Sequence, residues 1–164
     1  MSSTAILLRE KSKMNGKKTV EALFRIFNYL NYEYQIIDSD YNDWTENLSI
    51  EISVNCVIKS ENETFQEGMV LYVHEKNLFE DNHDFDWISE GLDNAVIFEN
   101  ISHGKNMFLE IIYQYIMEYP DDYLWVEWVE PETGYTKNDI EKIYENKNTD
   151  IHKSWLSQKP YYCI

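Results

Sequence analysis

Three segments of this 164-residue chain are predicted to be helical, two of them from the spacing of their apolar residues. From Val20 to Leu30 apolar residues lie three or four positions apart, as the buried face of a helix requires. A broader apolar stripe from about His103 to Tyr119 predicts a central packed helix that ends before a proline. A third helix is predicted over residues 136–145, because Thr136 and Asp139 fit a capping box with Asp in place of the usual Glu.

Strands are predicted where apolar and polar residues alternate. The clearest runs from Leu48 to Lys59, with one side buried and the other mostly in solvent. Polar residues 60–63 predict a turn into a partner strand over Met69–Val73, which together give a hairpin. Shorter strands are predicted at residues 34–37, 95–98 and 123–129, a turn at 38–43 and an acidic loop at 75–94.

The element order α-β-β-β-(β)-α-β-α predicts a single α+β domain, a mainly antiparallel sheet backed by about three helices. Its core is expected to join the strand residues Leu48, Ile50, Ile52 and Val54 to the helix residues Phe108, Ile111, Ile112 and Tyr115. Residues 1–16 are basic and are predicted to be a flexible lead-in, and residues 17–164 are predicted to form the acidic domain.

Charge narrows the range of partners. The chain holds 30 Asp and Glu against 14 Lys and Arg, for a net charge of −16. Residues 1–25 contain six Lys or Arg and two Glu, a local charge of +4, so the remaining chain carries −20. A field of that sign repels phosphate backbones and anionic lipids, so direct nucleic-acid binding and membrane association are not expected. A basic protein is the expected partner.

Reactive residues are few and lack the spacing of known sites. The four histidines form no i, i+4 pair, and the acids of Asp81–Asp86 lack the ligand spacing and glycine of a calcium loop. No glycine-rich phosphate loop occurs. Cys56 falls on the apolar side of a strand, and Cys163 lies too close to the chain end to be held as a nucleophile. We therefore expect no catalytic residue, metal or cofactor.

Cysteine usage and hydropathy also bear on location. Two cysteines in different contexts do not suggest a disulfide framework, and no apolar run has the length of a signal sequence or a membrane span. A soluble cytoplasmic protein is expected.

The segment YPDDYLWVEWVEPETGY, residues 119–135, combines aromatic and acidic residues without a base. Both sides of its strand are mostly apolar, which predicts a central position in the sheet. One interpretation places its large aromatic residues in the core. The other places Tyr123 and Trp125 on a partly open side, where aromatic anchors inside an acidic rim would bind a basic partner. The partner-binding residues would then be Asp121, Asp122, Tyr123, Trp125, Glu127, Glu130 and Glu132, with Asp84, Asp86 and Trp87 of the neighbouring loop.

In its small size, acidity, abundance of Tyr and Trp and lack of an active-site motif, the chain resembles the bacterial immunity proteins that neutralise toxin domains. The resemblance implies a protein that binds its cognate toxin, often a basic nuclease, and occludes it. Two other functions stay open. One is an acidic nucleic-acid mimic that inhibits a defence enzyme. The other is a small-substrate enzyme that uses acidic residues, with His74 or His103 beside them.

Overall fold

The computed structural model describes residues 3–42, 47–59, 64–74, 91–101, 104–127, 133–146 and 162–163. In these residues the chain forms a six-stranded antiparallel sheet, a two-stranded ribbon and three α-helices, which is the predicted single α+β domain. The helices are α1 (Gly16–Tyr29), α2 (Lys105–Glu118) and α3 (Lys137–Glu145). The strands are β1 (Thr4–Glu10), β2 (Glu33–Asn42), β3 (Asn47–Lys59), β4 (Thr64–His74), β5 (Leu92–Glu99), β6 (Tyr123–Val126), β7 (Thr133–Gly134) and β8 (Tyr162–Cys163).

The strand order of the main sheet is β2-β3-β4-β5-β1-β6. β1 lies inside the sheet, since Ala5 pairs with Phe98 of β5 on one side and with Val126 of β6 on the other. The prediction of a flexible lead-in over residues 1–16 is therefore wrong for residues 4–10. The physical reason is the apolar run Ala-Ile-Leu-Leu at residues 5–8, which is fully buried because an interior strand can bury both of its sides.

The main core lies between one face of the sheet and the helices. Ile52 of β3 and Phe98 of β5 are fully buried there together with Ile112 of α2. The rings of Phe98 and Phe108 meet edge to face with their centroids 5.2 Å apart. The predicted core is confirmed for Ile50, Ile52, Val54, Phe108, Ile111, Ile112 and Tyr115. The side chain of Leu48 lies outside the described ones.

Local hydrogen bonds define both ends of α1. Asn15 Oδ1 accepts from the N–H of Lys18 at 3.1 Å and caps the N-terminus. At the C-terminus Asn31 has a φ of 58°, and the N–H groups of Asn31 and Tyr32 donate to the carbonyls of Asn28 and Phe27 at 3.2 and 2.8 Å. This is a Schellman motif, in which Asn takes the left-handed position that glycine usually fills. It directs the chain from α1 into β2.

The other two helices begin differently. The capping box of α3 is confirmed: the Thr136 hydroxyl accepts from the N–H of Asp139 at 3.4 Å, and Asp139 Oδ2 accepts from the N–H of Thr136 at 2.9 Å. At α2 the N-cap is Gly104, which has no side chain to offer. Instead Glu67 of β4 accepts from the N–H of Met107 at 3.1 Å, so a neighbouring strand supplies the acceptor.

Four strands differ from the predicted ones. β4 begins at Thr64, five residues before the predicted Met69. β2 continues to Asn42 through the predicted turn, because pairing with β3 outweighs the turn preference of Asp38-Ser39-Asp40. β5 begins at Leu92, inside the predicted loop. β6 ends at Val126 and lies at the edge of the sheet, because β1 takes the interior position. The predicted turn at 60–63, most of the loop and the tail at 147–161 lie outside the described residues.

Candidate functional site

The described part of the chain contains five of the ten predicted partner-binding residues, Asp121, Asp122, Tyr123, Trp125 and Glu127. They follow α2 directly and continue through β6. The structure divides them into buried and exposed residues, so these five do not form one open surface. Asp84, Asp86, Trp87, Glu130 and Glu132 lie outside the described residues.

Asp122 is an interior residue. Its side chain is 4% exposed and forms an ion pair with Arg9, which is 2% exposed. Arg9 Nε lies 3.1 Å from each carboxylate oxygen, and Arg9 Nη2 donates to Oδ2 at 3.0 Å. The prediction that Asp122 belongs to a solvent-exposed rim is wrong. The physical reason is that β1 carries a guanidinium into the interior, where it needs a buried counter-charge.

Further groups complete what we call the buried polar cluster: Arg9, Thr19, Tyr115 and Asp122, which are buried, and Tyr119, which is half-buried. Arg9 Nη1 donates to Thr19 Oγ1 at 2.9 Å, and Nη2 donates to the Tyr115 hydroxyl. That hydroxyl donates in turn to Asp122 Oδ2 at 2.7 Å. The guanidinium carbon lies 3.9 Å from the centre of the Tyr119 ring, a cation–π contact. The cluster joins β1, α1, α2 and the turn that leads to β6.

Burial dominates the electrostatics of this cluster. It raises the pKa of the Asp122 carboxyl, although the hydrogen bonds and charge of Arg9 act in the opposite direction. Burial also raises the pKa of Tyr115 well above its ordinary value, so the phenol remains a hydrogen-bond donor. Because Arg9, Thr19, Tyr115 and Asp122 are all buried, a substrate has no access to them. We assign the cluster a structural role.

Trp125 is buried as well, at 9% exposed, and packs with Ile6 and Leu8 on the sheet face away from the helices. Tyr123 is half-buried against the same small cluster. Of the two interpretations of the aromatic segment, the core interpretation holds for Trp125, and the open-surface one is wrong for it. The neighbouring strand β1 is the reason, since it offers apolar side chains on both of its sides.

Asp121 and Glu127 are exposed, and each contacts the N-terminal part of the chain. Asp121 Oδ2 accepts from Lys13 Nζ at 3.4 Å. Glu127 Oε2 accepts from the backbone N–H of Thr4 at 3.0 Å. The two carboxylates therefore support β1 and the residues that follow it.

A different set of acids gathers on the solvent side of β2–β5. Strand alternation, and the direct pairing of Asp38 with Glu51, place Glu33, Asp38, Glu51 and Glu99 on the face opposite the helices. We call these four residues with Tyr72 the acidic sheet face. By pairing register, the other outward residues of these strands whose side chains are described are Gln35, Ser53, Asn55, Thr64, Gln66, Val70, His74, Leu92, Asn94 and Ile97, and none of them is Lys or Arg.

Tyr72 lies between two of these carboxylates. Its hydroxyl donates to Glu51 Oε1 at 3.4 Å. Burial, followed by the negative charges of Glu99 and Glu51, raises the pKa of Tyr72, so the phenol stays neutral. A half-buried aromatic ring flanked by acids has the composition of a patch that contacts a basic protein surface.

Sequence patterns contained only part of this surface. The alternation of residues 48–59 correctly placed Glu51 on the solvent side, but nothing in it pointed to a binding role. Asp38 was missed because it was predicted in a turn, and Glu99 because the predicted strand ended before it. Both become visible once the strands are paired.

A cleft of about 300 Å³ opens where α1 ends and α2 begins. Cys56, Glu67 and Glu110 are among its lining residues. Glu110 Oε2 accepts from the Tyr144 hydroxyl at 2.8 Å. Burial, and then the charge of Glu67, raises the pKa of the Cys56 thiol, which keeps it protonated and a weak nucleophile.

Among the described residues no group of three or more His, Cys, Asp or Glu could hold a metal ion. The Asp81–Asp86 segment lies outside them.

Comparison with known protein families, with characterised proteins and with solved structures found no match for this chain. Within the described ranges, none of the helices has both the length and the hydrophobicity needed to cross a membrane.

Proposed function

We propose that this protein is a non-catalytic inhibitor that binds a basic toxin domain in the bacterial cytoplasm and occludes it, as immunity proteins do. A nuclease fits this role, because a site that attracts a polyanionic substrate is itself basic. The supporting observation is the acidic sheet face, on which Tyr72 lies between Glu51 and Glu99, Glu33 and Asp38 extend the acidic area onto β2, and the described outward side chains include no Lys or Arg.

This surface takes the place of residues 119–135 as the proposed contact. Asp122 and Trp125 are committed to the interior, and Asp121 and Glu127 contact the N-terminal part of the chain. The acidic sheet face, in contrast, presents its side chains from paired strands. A rigid backbone lowers the conformational entropy that is lost on binding.

Charge and aromatic area have different tasks in such a complex. The net charge of −16 speeds the encounter with a basic partner, and this effect weakens as salt screens it. Tyr72, with Val70 beside it, supplies area that is desolvated when the complex forms. Association should therefore depend strongly on salt.

The test is affinity capture from the source cells at low salt, followed by binding measurements with the captured protein. Glu51→Gln/Glu99→Gln should slow association and weaken binding about tenfold. Glu21→Gln/Glu145→Gln is the matched control, because it removes the same number of charges from exposed positions on α1 and α3. It should change the affinity by less than about twofold.

Growth of a host strain tests whether this protein neutralises the captured partner. Expression of the captured partner alone should stop growth, and co-expression of the wild-type protein should restore it. The Glu51→Gln/Glu99→Gln variant should restore growth less well than the control variant. A captured partner that is acidic, or whose toxicity this protein does not relieve, would contradict the proposed function.

A further inference from the structure

The two edge strands of the main sheet differ in whether their outer sides form further backbone hydrogen bonds. At the β6 edge, Leu124 and Tyr135 exchange two backbone hydrogen bonds, of 3.0 and 2.8 Å, which continue the sheet by one bridge. At the other edge, β2 pairs with β3 on its inner side, and among the described strands none pairs with its outer side. Residues 35–39 of β2 are all exposed. One donor of β2 is engaged locally, since the N–H of Ser39 donates to Asp38 Oδ1 at 2.9 Å. Among the described residues no strand covers the other backbone groups on the outer side of β2, which an added strand could pair with.

The open edge also carries apolar side chains. Ile36 is 45% exposed and Ile37 is 52% exposed, whereas Ile50 and Ile52 on the adjacent strand are buried. Ile37 is the extra residue of a bulge, since Ile36 pairs with Ile52 and Asp38 pairs with Glu51. An exposed apolar edge strand is a template on which an extended segment can add.

Charge decides which segment fits. Glu33 and Asp38 lie on either side of the two isoleucines, and both belong to the acidic sheet face. A second copy of this chain would bring its own net charge of −16 and the same acids to this edge, which opposes self-pairing. A basic segment, in contrast, is attracted by Glu33 and Asp38. We propose that β2 accepts an extended basic segment of the partner as an added strand, an inference that rests on the proposed function.

The geometry of β2 also specifies the sequence pattern of that segment. Side chains of an added strand alternate between the two sheet faces. Those on the acidic sheet face lie beside Glu33 and Asp38, which favours Lys or Arg. Those on the helix side lie beside Ile36 and Tyr34, whose ring stacks on Phe24 with the centroids 4.6 Å apart. The segment should alternate basic and apolar residues, with backbone hydrogen bonds supplying affinity and the alternation supplying specificity.

The probe for this inference is a seven-residue peptide that alternates lysine and valine, acetylated and amidated at its ends. Titration into isotope-labelled protein should shift the backbone amide signals of β2 and of the facing residues of β3. The same peptide with every backbone nitrogen methylated keeps its charges but cannot donate strand hydrogen bonds. It should bind about tenfold more weakly.

Two variants locate the contact. Ile37→Lys puts a positive charge at the centre of the β2 edge, where it repels the lysines of the peptide. The variant should bind the peptide about tenfold more weakly. Tyr29→Lys is the control, because it makes the same change of charge at an apolar residue of α1 that is 71% exposed. It should bind as the wild type does, apart from a small general effect of the added charge.

Equal binding of the two peptides, or amide shifts outside β2 and its neighbours, would overturn the inference. Self-association of the protein that Ile37→Lys abolishes would also overturn it, because the occupant would then be a second copy. In a further outcome, the captured partner binds the Ile37→Lys variant as tightly as the wild type but binds the Glu51→Gln/Glu99→Gln variant more weakly. That result would overturn the added strand and leave the proposed function standing.

Discussion

Arg9 is the residue on which β1, both long helices and the turn before β6 converge. A guanidinium this deeply buried is tolerated only when its charge and its donors are matched. Asp122, Thr19 and Tyr115 provide that match, and the Tyr119 ring covers one side of the guanidinium. The cluster is therefore sensitive to the loss of a single member.

Asp122→Ala tests that sensitivity. It leaves Arg9 buried without a counter-charge, so the free energy of unfolding should fall by about 3–5 kcal/mol, measured by urea denaturation. Arg9→Met/Asp122→Leu removes both charges and should be more stable than Asp122→Ala, because no ion is then left unpaired. Asp121→Ala, at the adjacent exposed carboxylate, is the control and should barely move the midpoint. A midpoint that is equally unmoved in Asp122→Ala would contradict the role of the cluster.

His74 provides a pH-dependent test at the same scale. Burial lowers its pKa below the ordinary 6.5, and the charge of Asp93 only partly opposes this. The unfolded chain therefore takes up a proton at a higher pH than the folded protein does. The stability that neutral His74 contributes is present above pH 6.5 and is lost as the pH falls through the lower folded value. Amide and imidazole NMR should show His74 titrating below 6.5. His74→Asn should lose less stability than the wild type over that acidic range.

At the scale of elements, the capping box of α3 is the clearest local signal. Thr136→Ala removes the acceptor for the N–H of Asp139, and the free energy of unfolding should fall by about 1 kcal/mol. Asn138→Ala, at an exposed position of the same helical turn, is the control and should change the midpoint much less. Equal effects of the two substitutions would show that the cap does not stabilise the helix.

Elements defined by neighbouring residues were predictable from the sequence. The existence of α1 and α2 follows from local apolar spacing, the start of α3 from its capping box, and the β3–β4 hairpin from alternation, whereas the Asn15 cap that starts α1 was not predicted. β1 and the buried polar cluster were not predictable, because their partners are distant along the chain. Arg9 and Asp122 are 113 positions apart, and no periodicity links them. The lysines after residue 10 made this end of the chain look like a solvated arm, although its apolar run is an interior strand.

The same limit explains why Asp122 and Trp125 were predicted at the surface although both are buried. The aromatic residues of 119–135 suggested a binding surface, but an aromatic side chain on a strand can pack in the core or contact a partner equally well. Which of the two it does depends on the neighbouring strand. The position of β1 beside β6 decided the matter for Trp125.

At the scale of the whole molecule, unbalanced charge is a cost to folding. Carboxylates repel one another in the compact state, and salt screens that repulsion. The melting temperature should therefore rise by roughly a few degrees when the salt concentration increases from about 10 mM to about 150 mM. Glu21→Gln/Glu51→Gln/Glu99→Gln/Glu145→Gln lowers the net charge from −16 to −12 and should show a smaller rise. A melting temperature independent of salt would mean that neighbouring contacts already balance the repulsion.

The interior position of β1 has a consequence for synthesis on the ribosome. Ala5 pairs with Phe98 and Val126, which are translated 93 and 121 residues later. At translation rates of about 5–20 residues per second, the nascent chain carries its Ala-Ile-Leu-Leu run for roughly 5 to 25 seconds before both partner strands exist. A chaperone that binds short apolar segments has a target throughout that interval. Completion of the sheet has to wait for β6, and a codon change that slows translation between β1 and β6 prolongs the exposure.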